Sequence, residues 1–281
     1  MKTLLFAPGN HPRRVEKALG LPAGGVILDL EDAVAVSEKP ATRATVAATF
    51  GKPHFGKLYV RVNGLTTEWC HGDIAAVVLP GLDGIVLPKV EHAHELRTAD
   101  WLIGNLERER GLAHGSIDLI PIIETALGIA NLARICRSGT RVRRLAFGAG
   151  DFTLDMGMIW TRAEAELLPY RSACVMQSRA AGLEPPLDTV WADLRDADGF
   201  LASAKLAAGL GFQGKMCIHP DQIAPANAAF TPDQAAVAQA KRIVAAFEDA
   251  EARGLASIQL EGQFIDYPIV QRARRVLEAV R

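Results

Sequence analysis

The sequence predicts an α/β fold, a (β/α)8 TIM barrel with a C-terminal lid or helical extension. Three observations lead to this prediction. Short apolar runs rich in branched residues alternate with amphipathic stretches, and about eight such units fit into the 281 residues. The third observation argues against an open doubly wound sheet, because Gly148-Ala149-Gly150 is followed by Thr153 where G-x-G-x-x-G requires glycine.

The predicted strands are short and rich in branched apolar residues. They span residues 3–7, 25–30, 57–63, 84–90, 118–124, 144–148, 189–194 and 214–219. Apolar residues at helical spacing predict helices over residues 13–21, 40–50, 93–110, 126–137, 162–181 and 199–208. Residues 221–252 are predicted to be mostly helical, with an interruption around Thr231-Pro232.

The chain is predicted to form one barrel over residues 1–253 and a lid segment with a terminal helix over residues 254–281. Because the barrel is complete before residue 254, the last segment has no place inside it. We therefore expect residues 254–281 to act as a lid or to pack against a neighbouring subunit.

Composition and charge exclude several classes of partner. Lys and Arg total 31 against 32 Asp and Glu, so the formal net charge of −1 gives no general attraction to nucleic acid or to an anionic membrane. No apolar run approaches the roughly 18 residues of a membrane span, and the first residues do not read as a signal peptide. Four scattered cysteines without a CxxC pair predict reduced thiols and a cytoplasmic protein.

Chemistry is predicted at the carboxyl ends of the strands, where barrel enzymes place their functional side chains. Charged or titratable residues lie at the ends of the otherwise apolar runs. They are Asp29, Glu31, Asp32, Arg61, Lys89, Glu124, Asp151, Lys215 and His219. A charge in such a position is costly to desolvate unless it is paired or binds a metal. The set is therefore predicted to converge on one mouth of the barrel.

Glu124 and Asp151 are the predicted metal ligands. They follow two neighbouring predicted strands, so their carboxylates can reach one shared point. Two carboxylates that leave positions open for water and substrate oxygens suit Mg²⁺, with Mn²⁺ as the other possibility, whereas zinc would need a His/Cys cluster. The alternative is that each carboxylate caps a following helix or pairs with a cation of the barrel.

Arg61 is the predicted substrate-binding cation, because its planar guanidinium can bind a carboxylate through two hydrogen bonds. A structural salt bridge to Glu31 or Asp32 is the alternative, and both roles can hold together. Glu31 and Asp32 are counted with the catalytic residues. Together with Asp29 they are predicted to bind metal-bound water and to hold Arg61 and Lys89 in place.

The other predicted substrate contacts are Lys89, the glycine turn at Gly148 and Ala149, and the start of the first helix. There Arg14 and Lys17 belong to a group of three cations, and backbone donors with cations suit phosphate. A solvated helix face is the alternative for these cations. His219 precedes a proline at a strand end and is predicted to hydrogen-bond its own loop rather than to act as an acid or base.

These motifs, in this order, resemble the citrate lyase β-subunit-like branch of the HpcH/HpaI aldolase superfamily. The matching segments are residues 28–34 (LDLEDAV), 60–63 (VRVN), 87–91 (LPKVE), 123–126 (IETA), 147–152 (FGAGDF) and 214–220 (GKMCIHP). The resemblance runs from residue 6 to residue 268, almost the whole chain. Each segment alone is a weak signal, but the series is a strong one.

The resemblance implies a Mg²⁺-dependent carbon–carbon lyase that cleaves a 3-hydroxyacyl-CoA thioester, such as malyl-, citramalyl- or citryl-CoA, to acetyl-CoA and a 2-oxo acid. It implies Glu124 and Asp151 as metal ligands and Arg61 as the contact to the oxo acid. It also implies Arg14 and Lys17 as contacts to the CoA phosphates.

The resemblance further implies a homotrimer in which Asp266 of one subunit reaches a neighbour's site and protonates or deprotonates the acetyl carbon. Three other functions stay open at this point. The barrel can be a thioesterase of the malate-synthase type, or a β subunit that acts on an acyl-carrier-protein thioester. It can also be a non-catalytic barrel that binds an oxo acid.

Overall fold

The computed structural model describes residues 1–280 and contains a closed, eight-stranded parallel barrel, which confirms the predicted fold class. Its strands are β1 (Thr3–Pro8), β2 (Gly25–Asp29), β3 (Lys57–Arg61), β4 (Gly84–Leu87), β5 (Asp118–Ile123), β6 (Ala146–Phe147), β7 (Leu187–Asp188) and β8 (Gly214–Cys217). Because β1 pairs with β2 on one side and with β8 on the other, the sheet closes on itself.

Helices cover the outside of the barrel. They are α1 (Pro12–Leu19), α2 (Lys39–Ala47), α3 (Cys70–Val77), α4 (Ala93–Glu109), α5 (Ala126–Ala130), α6 (Leu132–Cys136), α7 (Ala149–Asp155), α8 (Leu168–Ala180), α9 (Ala197–Leu210) and α10 (Ile223–Ala229). Helices α3 and α7 were not among the predicted helices. The predicted helix over residues 126–137 is two short helices that meet at Asn131.

The barrel interior is filled by apolar side chains from all eight strands. This cluster consists of Leu4, Ile27, Tyr59, Val86, Ile120, Ile122, Ala146, Leu187 and Met216, each at most 3% exposed. Alternate residues of a strand point to opposite sides, so the neighbours of these residues face the helices. A packed interior of this kind holds the strand ends, and the loops that follow them, in fixed positions.

The seventh strand lies earlier in the chain than predicted. Leu187 and Asp188 make the pairing with β6 and β8, whereas residues 189–194 form a loop beyond the strand end. The prediction was wrong because Thr, Val and Trp in this segment have high strand propensity. In the structure the hydroxyl of Thr189 accepts a hydrogen bond from the backbone N–H of Ala149, at 2.8 Å, so it ties the loop to the start of α7.

Lys215 was predicted at the mouth, but it points from β8 toward α8 and α9, because its neighbour in the strand faces the interior. Its Nζ donates to Asp188 Oδ2 at 2.6 Å and to Ser203 Oγ at 3.0 Å. Arg171 of α8 donates to Asp188 at 2.9 Å and to Glu164 at 2.8 Å. Two cations thus face two carboxylates, and all four side chains are at most 2% exposed.

The chain divides into two compact units, Met1–Ala226 and a second from Asn227 onward. The second contains α11 (Gln234–Glu251), an antiparallel hairpin of β9 (Ser257–Leu260) and β10 (Gln263–Asp266), and α12 (Tyr267–Glu278). The boundary falls before α11, rather than after residue 253 as the sequence suggested. The reason is that Phe247 of α11 belongs to the same buried cluster as Ile265 of the hairpin and Val270 of α12.

The four cysteines of the chain are buried free thiols, as the sequence predicted. Burial raises the pKa of the Cys136 thiol to about 11, so this group stays protonated and is a poor nucleophile. Over residues 1–280, no helix combines the length and the apolar composition that a membrane span needs.

Replacement of Arg171 by Met should destabilise the barrel strongly, because it leaves the buried Glu164 and Asp188 carboxylates with too little positive charge. We expect a loss of about 3–5 kcal/mol in the free energy of unfolding, measured by urea denaturation. Arg143→Met is the matched control, since that arginine pairs with Glu184 at the surface and is 66% exposed. Equal losses in the two variants would contradict the importance of the buried cluster.

Candidate metal and substrate site at the barrel mouth

Most of the predicted charged residues meet at the carboxyl end of the barrel, namely Asp29, Glu31, Asp32, Arg61, Lys89, Glu124 and Asp151, whereas Lys215 of β8 does not. Asp29 and Arg61 are the last residues of β2 and β3, and Glu124 directly follows β5. Asp151 is not at a strand end. It lies in the first turn of α7, because the sixth strand ends at Phe147 and the helix begins at Ala149.

Arg61 is held by Asp29 in a two-point ion pair. Its Nε and Nη2 donate to the two carboxylate oxygens of Asp29 at 2.7 and 2.6 Å, and its guanidinium lies 4.9 Å from the ring centre of Phe6. Burial alone would raise the pKa of Asp29, but Arg61 outweighs it and lowers this pKa. The two-point grip that we expected Arg61 to offer a substrate is therefore taken by Asp29, which leaves Nη1 and the second N–H of Nη2.

Glu31 joins the two cations of the mouth. One of its oxygens lies 2.8 Å from Arg61 Nη1, and the other accepts a hydrogen bond of 2.5 Å from Lys89 Nζ. Asp32 lies at 3.7 Å from Arg61 and at 3.6 Å from Lys89, and its side chain is 57% exposed. The salt-bridge alternative considered for Arg61 is thus found in the structure, and Asp32 is the least engaged carboxylate of the group.

Lys89 positions Glu124 through its backbone. Its φ of +52° is a left-handed conformation that is uncommon for a residue with a side chain, and it directs the Lys89 N–H to Glu124 Oε1 at 2.8 Å. Glu124 does not cap the helix that follows it, because Thr125 Oγ1 accepts the hydrogen bond from Gly128 N at 3.0 Å. Helix capping therefore does not explain the buried Glu124 carboxylate.

Gly148 leaves room for the same carboxylate. A Cβ at this position would lie 2.5 Å from Glu124 Oε2, closer than two atoms can approach. The N–H groups of Gly148 and Ala149 are already donated, to Ile123 O at 3.0 Å and to Thr189 at 2.8 Å. These two residues, predicted as substrate contacts, therefore shape the site, and neither has a backbone N–H to spare for a substrate.

The carboxylates of the mouth carry more negative charge than their neighbours compensate. Burial, with repulsion from Glu31 and Asp151, raises the pKa of Glu124 to about 8. The five carboxylates are Asp29, Glu31, Asp32, Glu124 and Asp151, and the cations near them are Arg61, Lys89 and, below the loop after β2, Lys39. With all five carboxylates ionised, they exceed these three cations by two charges, which a divalent cation would neutralise.

Glu124 and Asp151 fit a hard divalent cation that takes its remaining ligands from water and substrate. Among residues 1–280, no group of three or more His, Cys, Asp or Glu side chains is arranged to hold a metal ion. A pair of carboxylates suits Mg²⁺, whereas zinc prefers His and Cys ligands. Asp151 Oδ2 lies 3.6 Å from Lys89 Nζ, so pairing with a barrel cation, the second alternative, is found for Asp151.

A cleft of about 760 Å³ opens beside Arg61. Its polar lining includes two of the three cations of α1, Arg14 and Lys17, together with Asp29, Asp32, Arg61 and His219. His219 Nδ1 accepts a hydrogen bond from Asp221 N at 3.3 Å, so this residue caps its own loop as predicted. The cleft has the volume of a site for a small molecule or cofactor.

Asp266 lies in the second compact unit, where it is the N-cap residue of α12. Its carboxylate accepts a hydrogen bond from Ile269 N at 3.3 Å. Sequence reasoning missed two residues that support the mouth, Phe6 and Lys39. The position of Phe6 two residues from the end of β1 could have indicated the first, whereas nothing in the sequence indicates where the ammonium of Lys39 points.

Comparisons with known proteins identify relatives of this chain. Residues 2–220 match the model of the HpcH/HpaI aldolase/citrate lyase family. The citrate lyase subunit beta of Leuconostoc mesenteroides subsp. cremoris is 37% identical over 99% of this chain and 92% of its own length. The L-malyl-CoA/beta-methylmalyl-CoA lyase of Cereibacter sphaeroides is 34% identical over 97% of this chain and 92% of its own.

Among solved structures, the CitE protein of Mycobacterium tuberculosis in complex with magnesium, acetoacetate and coenzyme A is similar over 99% of this chain and 97% of its own. The TM-score is 0.82 and the sequence identity 29%. The family model covers residues 2–220, and the relatives above 30% identity cover almost the whole chain. The chain therefore belongs to the HpcH/HpaI aldolase/citrate lyase family.

Proposed function

We propose that this chain is a Mg²⁺-dependent lyase that cleaves a 3-hydroxyacyl-CoA thioester to acetyl-CoA and a 2-oxo acid. The observation that carries the proposal is the excess negative charge around Glu124 and Asp151, next to Arg61 and beside a cleft lined by cations. The ligands in the CitE structure, magnesium, an oxo acid and coenzyme A, support it. The names of the relatives agree on a lyase and differ in the substrate.

Glu124 and Asp151 would hold the metal, and Mg²⁺ bound there would act as a Lewis acid toward the hydroxyl and carboxylate oxygens of the substrate. Asp29 takes Nε and one N–H of Nη2 of Arg61, and Nη1 lies 2.8 Å from Glu31, so the remaining N–H groups of the guanidinium would stabilise the oxo acid. Lys89, 39% exposed, can donate to the same product. Arg14 and Lys17, which line the same cleft, would bind the CoA phosphates.

Cleavage breaks the bond between the hydroxyl carbon and the carbon next to the thioester. The hydroxyl proton leaves to Asp32, which is the most exposed carboxylate of the mouth. The hydroxyl carbon becomes the carbonyl of the oxo acid, and the electron pair of the broken bond goes to the thioester fragment as an enolate. Asp266 of a neighbouring subunit protonates the enolate carbon, which yields acetyl-CoA.

A β subunit that acts on an acyl-carrier-protein thioester is the second candidate, because a citrate lyase subunit beta is 37% identical to this chain. The purified chain should separate the two. Turnover of free CoA thioesters at rates typical of enzymes would support the first proposal, and turnover of the carrier-protein thioester alone would support the second. Release of free CoA from glyoxylate plus acetyl-CoA would instead indicate a thioesterase step.

The principal experiment incubates the protein with Mg²⁺ and malyl-, citramalyl- or citryl-CoA and measures the oxo acid formed. Glu124→Gln and Asp151→Asn should each lower the rate at least about a hundredfold, because each removes a charge that binds the metal. Asp155→Asn is the matched control, since Asp155 lies one turn further along α7 and accepts a hydrogen bond from Ala126 N. No turnover of any thioester by the wild-type protein would contradict the proposal.

Gly148→Ala should weaken Mg²⁺ binding about 10–100-fold, because the added Cβ displaces the Glu124 carboxylate. The backbone tolerates the change, since the φ of Gly148 is −113°. Gly150→Ala is the control, because a Cβ there meets its nearest atom, in Trp160, at 4.0 Å. Calorimetric titration with Mg²⁺ measures both variants, and equal affinities would show that the close approach of Gly148 does not matter.

Asp266→Asn should abolish proton exchange at the methyl group of acetyl-CoA, followed by NMR in deuterated water, and leave Mg²⁺ affinity intact. If Asp266 acts on a neighbouring subunit, oligomers that mix Asp266→Asn and Glu124→Gln chains equally should recover activity at about a quarter of the sites. Unchanged exchange would remove Asp266 from the mechanism. Loss of exchange without recovery in the mixture would place Asp266 in its own subunit's site.

A further inference from the structure

Lys39 is a buried cation just below the mouth. It is the first residue of α2 and is 7% exposed. Its Nζ donates to Leu30 O at 3.0 Å, to Glu31 O at 2.6 Å and to Asn63 Oδ1 at 2.7 Å. All three of its protons are therefore used, and all three acceptors are neutral oxygens. Burial of an ammonium is costly, so its presence calls for a role beyond filling space.

Two of the three hydrogen bonds of Lys39 go to the acidic loop, residues 29–34, and the third goes to Asn63. The same loop is held from its other side by Asp29, whose carboxylate accepts from Glu31 N at 2.9 Å and from Ala33 N at 3.1 Å. The backbone of Glu31 is thus fixed by a carboxylate at its N–H and by an ammonium at its carbonyl oxygen. This leaves little freedom for the direction of the Glu31 side chain.

A chain of buried groups anchors Lys39 to the helix layer. Asn63, which accepts from Lys39, donates to Leu30 O at 2.9 Å and to Asp73 Oδ2 at 2.6 Å. Asp73 in turn accepts from Arg43 Nε at 2.7 Å. The loop is therefore tied to β3, α2 and α3 through side chains that do not reach the metal ligands.

We infer that Lys39 is a positioning residue of the active site, which fixes the acidic loop so that Glu31 aims Arg61 and Lys89 at the substrate. This inference rests on the proposed function. Glu31 contacts both cations directly, at 2.8 Å for Arg61 and at 2.5 Å for Lys89. A displacement of the Glu31 backbone therefore moves both, although neither touches Lys39.

Lysine suits this position because its ammonium offers three donors in a compact, tetrahedral arrangement. The planar guanidinium of arginine is larger and presents its donors as a fork, so it cannot replace the ammonium among these three oxygens. Methionine has a similar length and no donor. Lys39→Met consequently removes the hydrogen bonds and keeps most of the volume.

The experiment compares Lys39→Met with Lys215→Met, a second buried lysine whose partners Asp188 and Ser203 lie outside the mouth. We expect both variants to lose stability. Lys39→Met alone should lower kcat about 10–100-fold, weaken pyruvate binding about tenfold and change Mg²⁺ affinity less than about threefold. Amide deuterium exchange in residues 29–34 should also rise in Lys39→Met alone.

Normal kcat, pyruvate affinity and loop exchange in folded Lys39→Met would overturn the inference, as would equal effects of the two substitutions. Should Lys39→Met fail to fold, Asn63→Ser removes one acceptor and should show a smaller change in the same direction. If the wild-type protein turns over no thioester and binds no pyruvate, the proposed function fails. Loop exchange then still tests whether Lys39 holds the loop.

Discussion

Repulsion between carboxylates at the mouth is the constraint on which the arrangement of the site depends. Burial, followed by repulsion from Glu31 and Asp151, raises the pKa of Glu124. Arg61 and Lys89 compensate part of this charge, and Glu31 connects both of them. The residues therefore form one electrostatic unit, in which a bound cation supplies the missing positive charge and the loss of one group changes the others.

The barrel makes such a concentration of charge possible because its other charges are compensated separately. Lys215, Arg171, Asp188 and Glu164 neutralise one another between the strands and helices α8 and α9. The interior below the mouth is apolar and closely packed. The residues that stabilise the barrel and the residues proposed for chemistry thus lie in different parts of it, as is common for this fold.

Much of the fold and part of the candidate site could be predicted from the sequence. The alternation of apolar runs with amphipathic stretches predicted the barrel. Glu124 and Asp151 were predicted as metal ligands because a charge near the end of an apolar strand is costly to desolvate unless it is paired or binds a metal. Strand seven was misplaced, because strand propensity cannot show which two residues pair with β6 and β8. Lys215 and Lys89 both accompany apolar strands, but one points to the helices and the other to the mouth. The difference arises because Lys215 lies within β8, whereas Lys89 lies beyond the end of β4.

The order of residues alone establishes the number of barrel units, the acidic and basic groups available for chemistry, and the resemblance to one family, because periodicity and motif content are local properties. Which donors of Arg61 stay available, why position 148 must lack a side chain, and what the ammonium of Lys39 binds are decided only when the chain is folded. Those features depend on contacts between segments far apart in the chain, and small differences in the distances between atoms decide them. No local pattern encodes such distances.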